Sequence, residues 1–116
     1  MATILHEPEA TAARHKIAAT AAKMLNGSLS FIEGTREVLA LSSLAKLDQF
    51  DPDILPFVGA YSETDALPLG EVRELWAPDA LEKLKPEFER KERWARELCQ
   101  EACSRLVKRF GTPHEH

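Results

Sequence analysis

Thirty residues in the middle of this chain, 48–77, follow neither the period of a helix nor that of a strand, although clear helical patterning stands on both sides. This break constrains the fold more than any other feature, because it is not a plain linker. It holds Phe50, Ile54, Phe57, Val58, Tyr61, Leu67, Val72 and Trp76, and four of the eight aromatic residues of the chain fall inside it. A structureless connection of about 30 residues is uncommon in a compact domain. The pattern therefore predicts an ordered but irregular segment folded against helical arms. Within it, Asp51, Pro52 and Asp53 predict one helical turn over 52–55 that Pro56 stops. A short strand over 57–61 is the competing reading. Ser62 to Asp65 offer side-chain caps for turns, Pro68 and Gly70 bracket another turn, and 71–76 can form one or two helical turns.

The arms carry conventional punctuation. Ala13, Ile17, Ala21, Met24 and Leu25 recur at helical spacing, Pro8 suits a first turn, and Asn26-Gly27 supplies a left-handed stop, so a helix is expected over 8–26. Ser30 with Glu33 three residues on forms a capping box for a second helix over 31–47. Gly34 inside it costs about 1 kcal/mol relative to alanine, a cost that close packing against the first helix would explain. Pro78 opens a short helix near 78–84, and Pro86 either begins a separate long one over 86–110, the favoured reading, or kinks a continuous helix; Gly111 ends it. Phe88, Trp94, Ala95, Leu98, Ala102, Leu106 and Phe110 form its apolar stripe, with Cys99 and Cys103 at the margin. The expected fold is all-α: a single domain over 1–116 built as a small bundle of three main helices, with loose ends at about 1–6 and 112–116.

Charge is distributed unevenly. The net charge of −4 resides in the middle segment, where Arg73 stands against Asp48, Asp51, Asp53, Glu63, Asp65, Glu71 and Glu74, while each flank carries a balance of +1. Such a field disfavours nucleic acid, whose phosphates need Lys and Arg, and suits a basic protein surface. No apolar run approaches the roughly 20 residues that span a bilayer. Two thiols without a secretory leader fit a reducing compartment, so a cytoplasmic location is expected.

Chemical motifs are sparse. Asp48, Asp51 and Asp53 lack the glycine and terminal glutamate of a calcium loop. There is no phosphate-binding glycine loop, no HExxH pair and no nucleophile elbow, and no catalytic residue is assigned. Cys99 and Cys103 lie one helical turn apart, and a metal would need further ligands that do not appear at matching spacing. Buried thiols without metal or cofactor are expected, and His15 reads as solvated surface.

The motifs Phe31-Ile32-Glu33-Gly34, Phe57-Val58-Gly59, Ser62-Glu63-Thr64-Asp65 and Leu67-Pro68-Leu69-Gly70-Glu71-Val72-Arg73 resemble a small family of uncharacterised bacterial proteins. That resemblance covers roughly residues 20–105 and implies no activity or catalytic residue. In size, acidity and helical character the chain also resembles immunity proteins encoded beside bacterial toxins. The functional expectation is a non-enzymatic binding protein of the immunity-type inhibitor kind, whose acidic segment meets a basic partner. Asp51, Asp53, Glu63, Asp65, Glu71 and Arg73 are its charged contact residues, and Tyr61 and Trp76 its anchors. The alternative is a small enzyme or ligand-binding protein with a site around Glu63, Asp65 and Arg73. A homodimer through Trp94 and Leu98 of the C-terminal helix is a third reading.

Overall fold

The computed structural model describes residues 2–69 and 75–111, with side chains from Pro8 onward. These residues form four α-helices and no strand: α1 (Ala2–Asn26), α2 (Phe31–Leu44), α3 (Leu55–Thr64) and α4 (Pro78–Phe110). The all-α class matches the expectation, but the helices differ from it in number and extent. At 1.5 Å per residue α4 is about 50 Å long and accounts for the 54 Å long axis of the molecule.

α1 and α2 form an antiparallel hairpin, with Met24 opposite Gly34 at one end and Arg14 bonded to the Ala45 carbonyl at the other. The turn between them is a Schellman motif. Ser28 N–H donates to Lys23 O and Gly27 N–H to Met24 O, with Gly27 at φ +86°. α2 ends in the same motif, Leu47 N–H to Ser42 O and Lys46 N–H to Ser43 O, but here Lys46 takes the left-handed position at φ 60°. That stop falls three residues before the expected end at 47. A Cβ on Gly34 would stand 2.4 Å from Met24 Sδ. The glycine thus makes room for a thioether, more than for alanines.

At the N-terminus of α2, Ser30 Oγ accepts from Glu33 N–H, as the capping box predicts. The first two amides of the helix are satisfied from much farther away. Glu92 of α4 accepts from Phe31 N–H at 2.7 Å and from Ile32 N–H at 3.0 Å. A carboxylate at a helix N-terminus gains from both the hydrogen bonds and the helix dipole.

Three expectations need correction, and in each a proline was the misleading residue. α1 starts at Ala2, so Pro8 is interior rather than at the start, and residues 2–6, expected to be a loose end, belong to the helix. The segment 48–77 is not irregular throughout: α3 occupies 55–64, which also removes the strand reading. The turn begun at Asp51, whose carbonyl accepts from Ile54 and Leu55 N–H, runs directly into α3. Pro56 stands at its second position, where no intrahelical N–H is required, so it starts the helix instead of stopping the turn. Finally, α4 is continuous through Pro86. The bond Pro86 cannot make would go to the Glu82 carbonyl, and both residues are exposed, so water can serve that carbonyl.

The core lies where α1, α2 and the C-terminal half of α4 meet, with α3 closing one side. Ile17, Met24, Phe31, Val38, Ile54, Phe57, Cys99, Cys103 and Leu106 are fully or almost fully buried. α3 runs antiparallel to α4: Glu63 O receives a hydrogen bond from Lys91 Nζ at one end, and Asp53 pairs with Arg105 at the other. Among the described residues, no helix is long and apolar enough to cross a membrane.

Candidate partner-binding surface

The centre of the buried face of α4 falls on Ala95, Cys99, Ala102, Cys103 and Leu106. Trp94 and Leu98 therefore stand near the edge of that face, on the side of α3, each 39% exposed. Leu98 lies against Gly59 of α3, and one turn back along α3 Leu55 is also exposed. Leu55, Trp94 and Leu98 thus form an apolar row along the α3–α4 seam. Glu97 and Glu101 follow at helical spacing on the outer side of the row. Both are exposed, and the Glu101 side chain at 93% holds Arg105 only at 3.9 Å.

The carboxylates of the middle segment divide into two groups. Asp51 and Asp53 are clamped to the C-terminal turn of α4. Arg105 Nε donates to Asp53, and Arg109 Nη1 lies 3.1 Å from Asp51 and 3.0 Å from Asp53. Both aspartate side chains are only 14% exposed. Asp51 Oδ1 also accepts from Asp53 N–H, and Asp48 Oδ1 from Phe50 N–H, so local turns use these groups too. The hydrogen bond from Arg109 holds the Asp51 carboxyl below its ordinary value, and the same contact raises Arg109. Glu63 and Asp65 are different. Both are exposed, and neither is in an ion pair among the described residues.

The two expected aromatic anchors also part company. Tyr61 is 43% exposed, but the Arg36 guanidinium lies 5.4 Å from its ring centroid. Arg36 meanwhile donates to Ile32 O and to Thr64 O at 2.6 Å, so it fastens α2 to the C-terminal end of α3. Trp76 and its neighbour Leu75 precede α4 and are exposed, Leu75 at 85%. Glu71 and Arg73 lie outside the described residues. Of the expected contact residues, then, Glu63, Asp65 and Trp76 are exposed, Tyr61 is exposed in part but covered by Arg36, and Asp51 and Asp53 are engaged within the molecule.

A groove of about 450 Å³ lies elsewhere, between the start of α2 and α4, with Ile32, Leu69 and Phe88 among its lining residues. Its polar rim is Glu33, Glu89, Glu92 and Arg93, and Glu92 is already committed to the α2 amides. Neither Glu63 nor Asp65 lines it.

The sequence reading places Trp94 and Leu98 in the apolar stripe and, as a third reading, in a homodimer contact, but does not single out Glu97 and Glu101 as their neighbours. The signal was present in the wheel. Had the stripe been centred on Cys99 and Cys103, the edge position of Trp94 and Leu98 would have followed. No protein-family model matches the chain, and neither the curated proteins nor the solved structures contain a match.

Proposed function

We propose that this protein is a non-enzymatic binding protein that engages a basic protein partner along the α3–α4 seam, in the manner of an immunity-type inhibitor. The observation that carries this reading is the exposed row of Leu55, Trp94 and Leu98 beside the exposed carboxylates Glu63, Asp65, Glu97 and Glu101. Single exposed apolar residues are ordinary, but an apolar row with a charged rim rich in carboxylates has the anatomy of an interface. Tryptophan is enriched among residues that dominate binding. The carboxylates add electrostatic steering, which raises association rate more than final affinity. Of the positive charges near the seam, Arg105 is paired with Asp53 and Lys91 with Glu87, while Arg90, one turn before Trp94, is exposed. The alternative site around Glu63, Asp65 and Arg73 gains no support from a cleft: the first two are on open surface, and Arg73 lies outside the described residues.

The test is co-purification with the product of the adjacent reading frame, followed by kinetics on the isolated pair. The reading expects an association rate that falls with salt and drops about tenfold or more in Glu63→Lys with Asp65→Lys. Trp94→Gln should instead speed dissociation. If association is indifferent to salt and to both changes, the seam is not the contact surface. A purified chain that forms a dimer dispersed by Trp94→Gln would assign the row to self-association instead.

A further inference from the structure

Among the described residues, every side-chain hydrogen bond that ties residues 51–65 to the other helices is donated by an arginine or a lysine. At the N-terminal end, Arg105 and Arg109 of α4 hold Asp53 and Asp51. At the C-terminal end, Arg36 of α2 donates to Thr64 O at 2.6 Å and Lys91 of α4 to Glu63 O at 2.8 Å. The last carbonyls of a helix have no partner within it, and the negative end of its dipole favours cations there. Between the two ends the contact is apolar: Ile54, Phe57 and Ala60 are buried, and Leu98 lies against Gly59. The rest of the buried core cluster lies on α1, on α2 with its C-cap Ala45, and on α4, and α1 packs against both α2 and α4.

Two features set this unit apart from the other helices. α3 has ten residues, with Pro56 at its second position and Gly59 in its interior. An isolated helix shorter than about 12–15 residues is marginal in water, so α3 released from its neighbours unwinds. Docking and folding of α3 are therefore one event. The links on either side, residues 45–50 and 66–77, each reach about 20 Å or more when extended, so the unit can leave while α1, α2 and α4 stay packed. We propose that residues 51–65 form a latch, which undocks and unwinds as one unit from a body of α1, α2 and α4 and whose docking switches the partner surface on. The latch carries Leu55, Glu63 and Asp65, and α4 carries Trp94, Glu97, Leu98 and Glu101, so the seam row exists only in the docked state. A partner that needs the whole row binds the docked state alone and draws the equilibrium towards it. The gating rests on the seam as the binding surface; the latch itself does not.

The experiment is native-state hydrogen exchange on the full chain at low denaturant, alone and with the product of the adjacent reading frame. The amides of 57–64 should exchange together, about tenfold or more faster than those of 99–106, and with a shallower dependence on denaturant because the opening exposes less surface. The bound partner should slow them. Phe57→Asp puts a charge at a site with no exposure and should hold the chain in the undocked state, with 57–64 unprotected and 99–106 still protected. Its affinity for the partner should fall about tenfold or more, although Phe57 is not on the surface. Equal protection and equal slope in the two segments of the wild-type chain overturn the latch, as does loss of protection at 99–106 in Phe57→Asp. Either result leaves the seam reading standing. If α3 opens as stated and Phe57→Asp still binds the partner as tightly as the wild type, the gating is overturned and the seam reading falls with it.

Discussion

The two sides of the C-terminal half of α4 use similar residues for opposite ends. The inward side, from Ala95 through Cys99 and Cys103 to Leu106, is sealed against α1 and α2. The edge beside α3, only part of a turn away, carries Trp94 and Leu98 half in solvent and ends in Arg105 and Arg109. Hydrophobicity alone does not separate them, since tryptophan is at least as apolar as the cysteines it flanks. What separates them is helix supply. α1 and α2 cover the inward side, whereas α3 is only ten residues long and covers the edge in part. The comparison teaches that apolar surface becomes core or interface according to which neighbour is long enough to reach it.

Substitutions that act on one side and spare the other can break this contrast. The largest effect belongs to the sealed side. Leu106→Ala, in a site with no exposure, should cost about 3 kcal/mol, read as a lower urea midpoint with an unchanged slope. Glu92→Ala should come next, at about 1–2 kcal/mol, because it strips the acceptor from two α2 amides. Denaturation curves at neutral pH check both.

The clamp at the end of the edge gives a smaller effect with a distinctive pH signature. The folded-state pKa of Asp51 is depressed from its ordinary 3.8. Its contribution is therefore fully present above that ordinary value and is lost as the pH falls through the lower folded value. Asp51→Asn should flatten the acid limb of the stability profile below about pH 4. Arg109→Ala should do the same at a cost of about 1 kcal/mol or less near neutrality, since its side chain is 39% exposed. An acid limb unchanged in both variants would remove the clamp from the account.

Much of the hairpin was legible in the sequence because its signals are local. Gly27 stops α1 and Ser30 with Glu33 starts α2, as their spacing says. The acidic bias of 48–77 was legible as well, but not its use. Asp51 and Asp53 find Arg109 and Arg105 across more than fifty residues, and Glu92 finds the α2 amides across sixty. Residue spacing carries no information about such partners. The prolines misled for a different reason. Pro56 and Pro86 were read as breaks, but a proline is tolerated where the missing bond is unneeded, in a first turn, or where the freed carbonyl faces water. Which of these applies depends on exposure, and exposure is settled by tertiary packing. The meeting of Met24 with Cys103 was hidden for the same reason as the ion pairs.

The central claim is that the seam row serves a partner and contributes little to the fold. The most direct test is the free energy of unfolding of Trp94→Gln with Leu98→Gln, measured beside the affinity of the same variant for the co-purified partner. Because both side chains are already partly in solvent and glutamine keeps helix propensity, the account predicts a stability loss of about 1 kcal/mol or less. It also predicts an affinity loss of at least tenfold. A stability loss matching that of Leu106→Ala, with affinity per folded molecule unchanged, would show the row to be core and contradict the account.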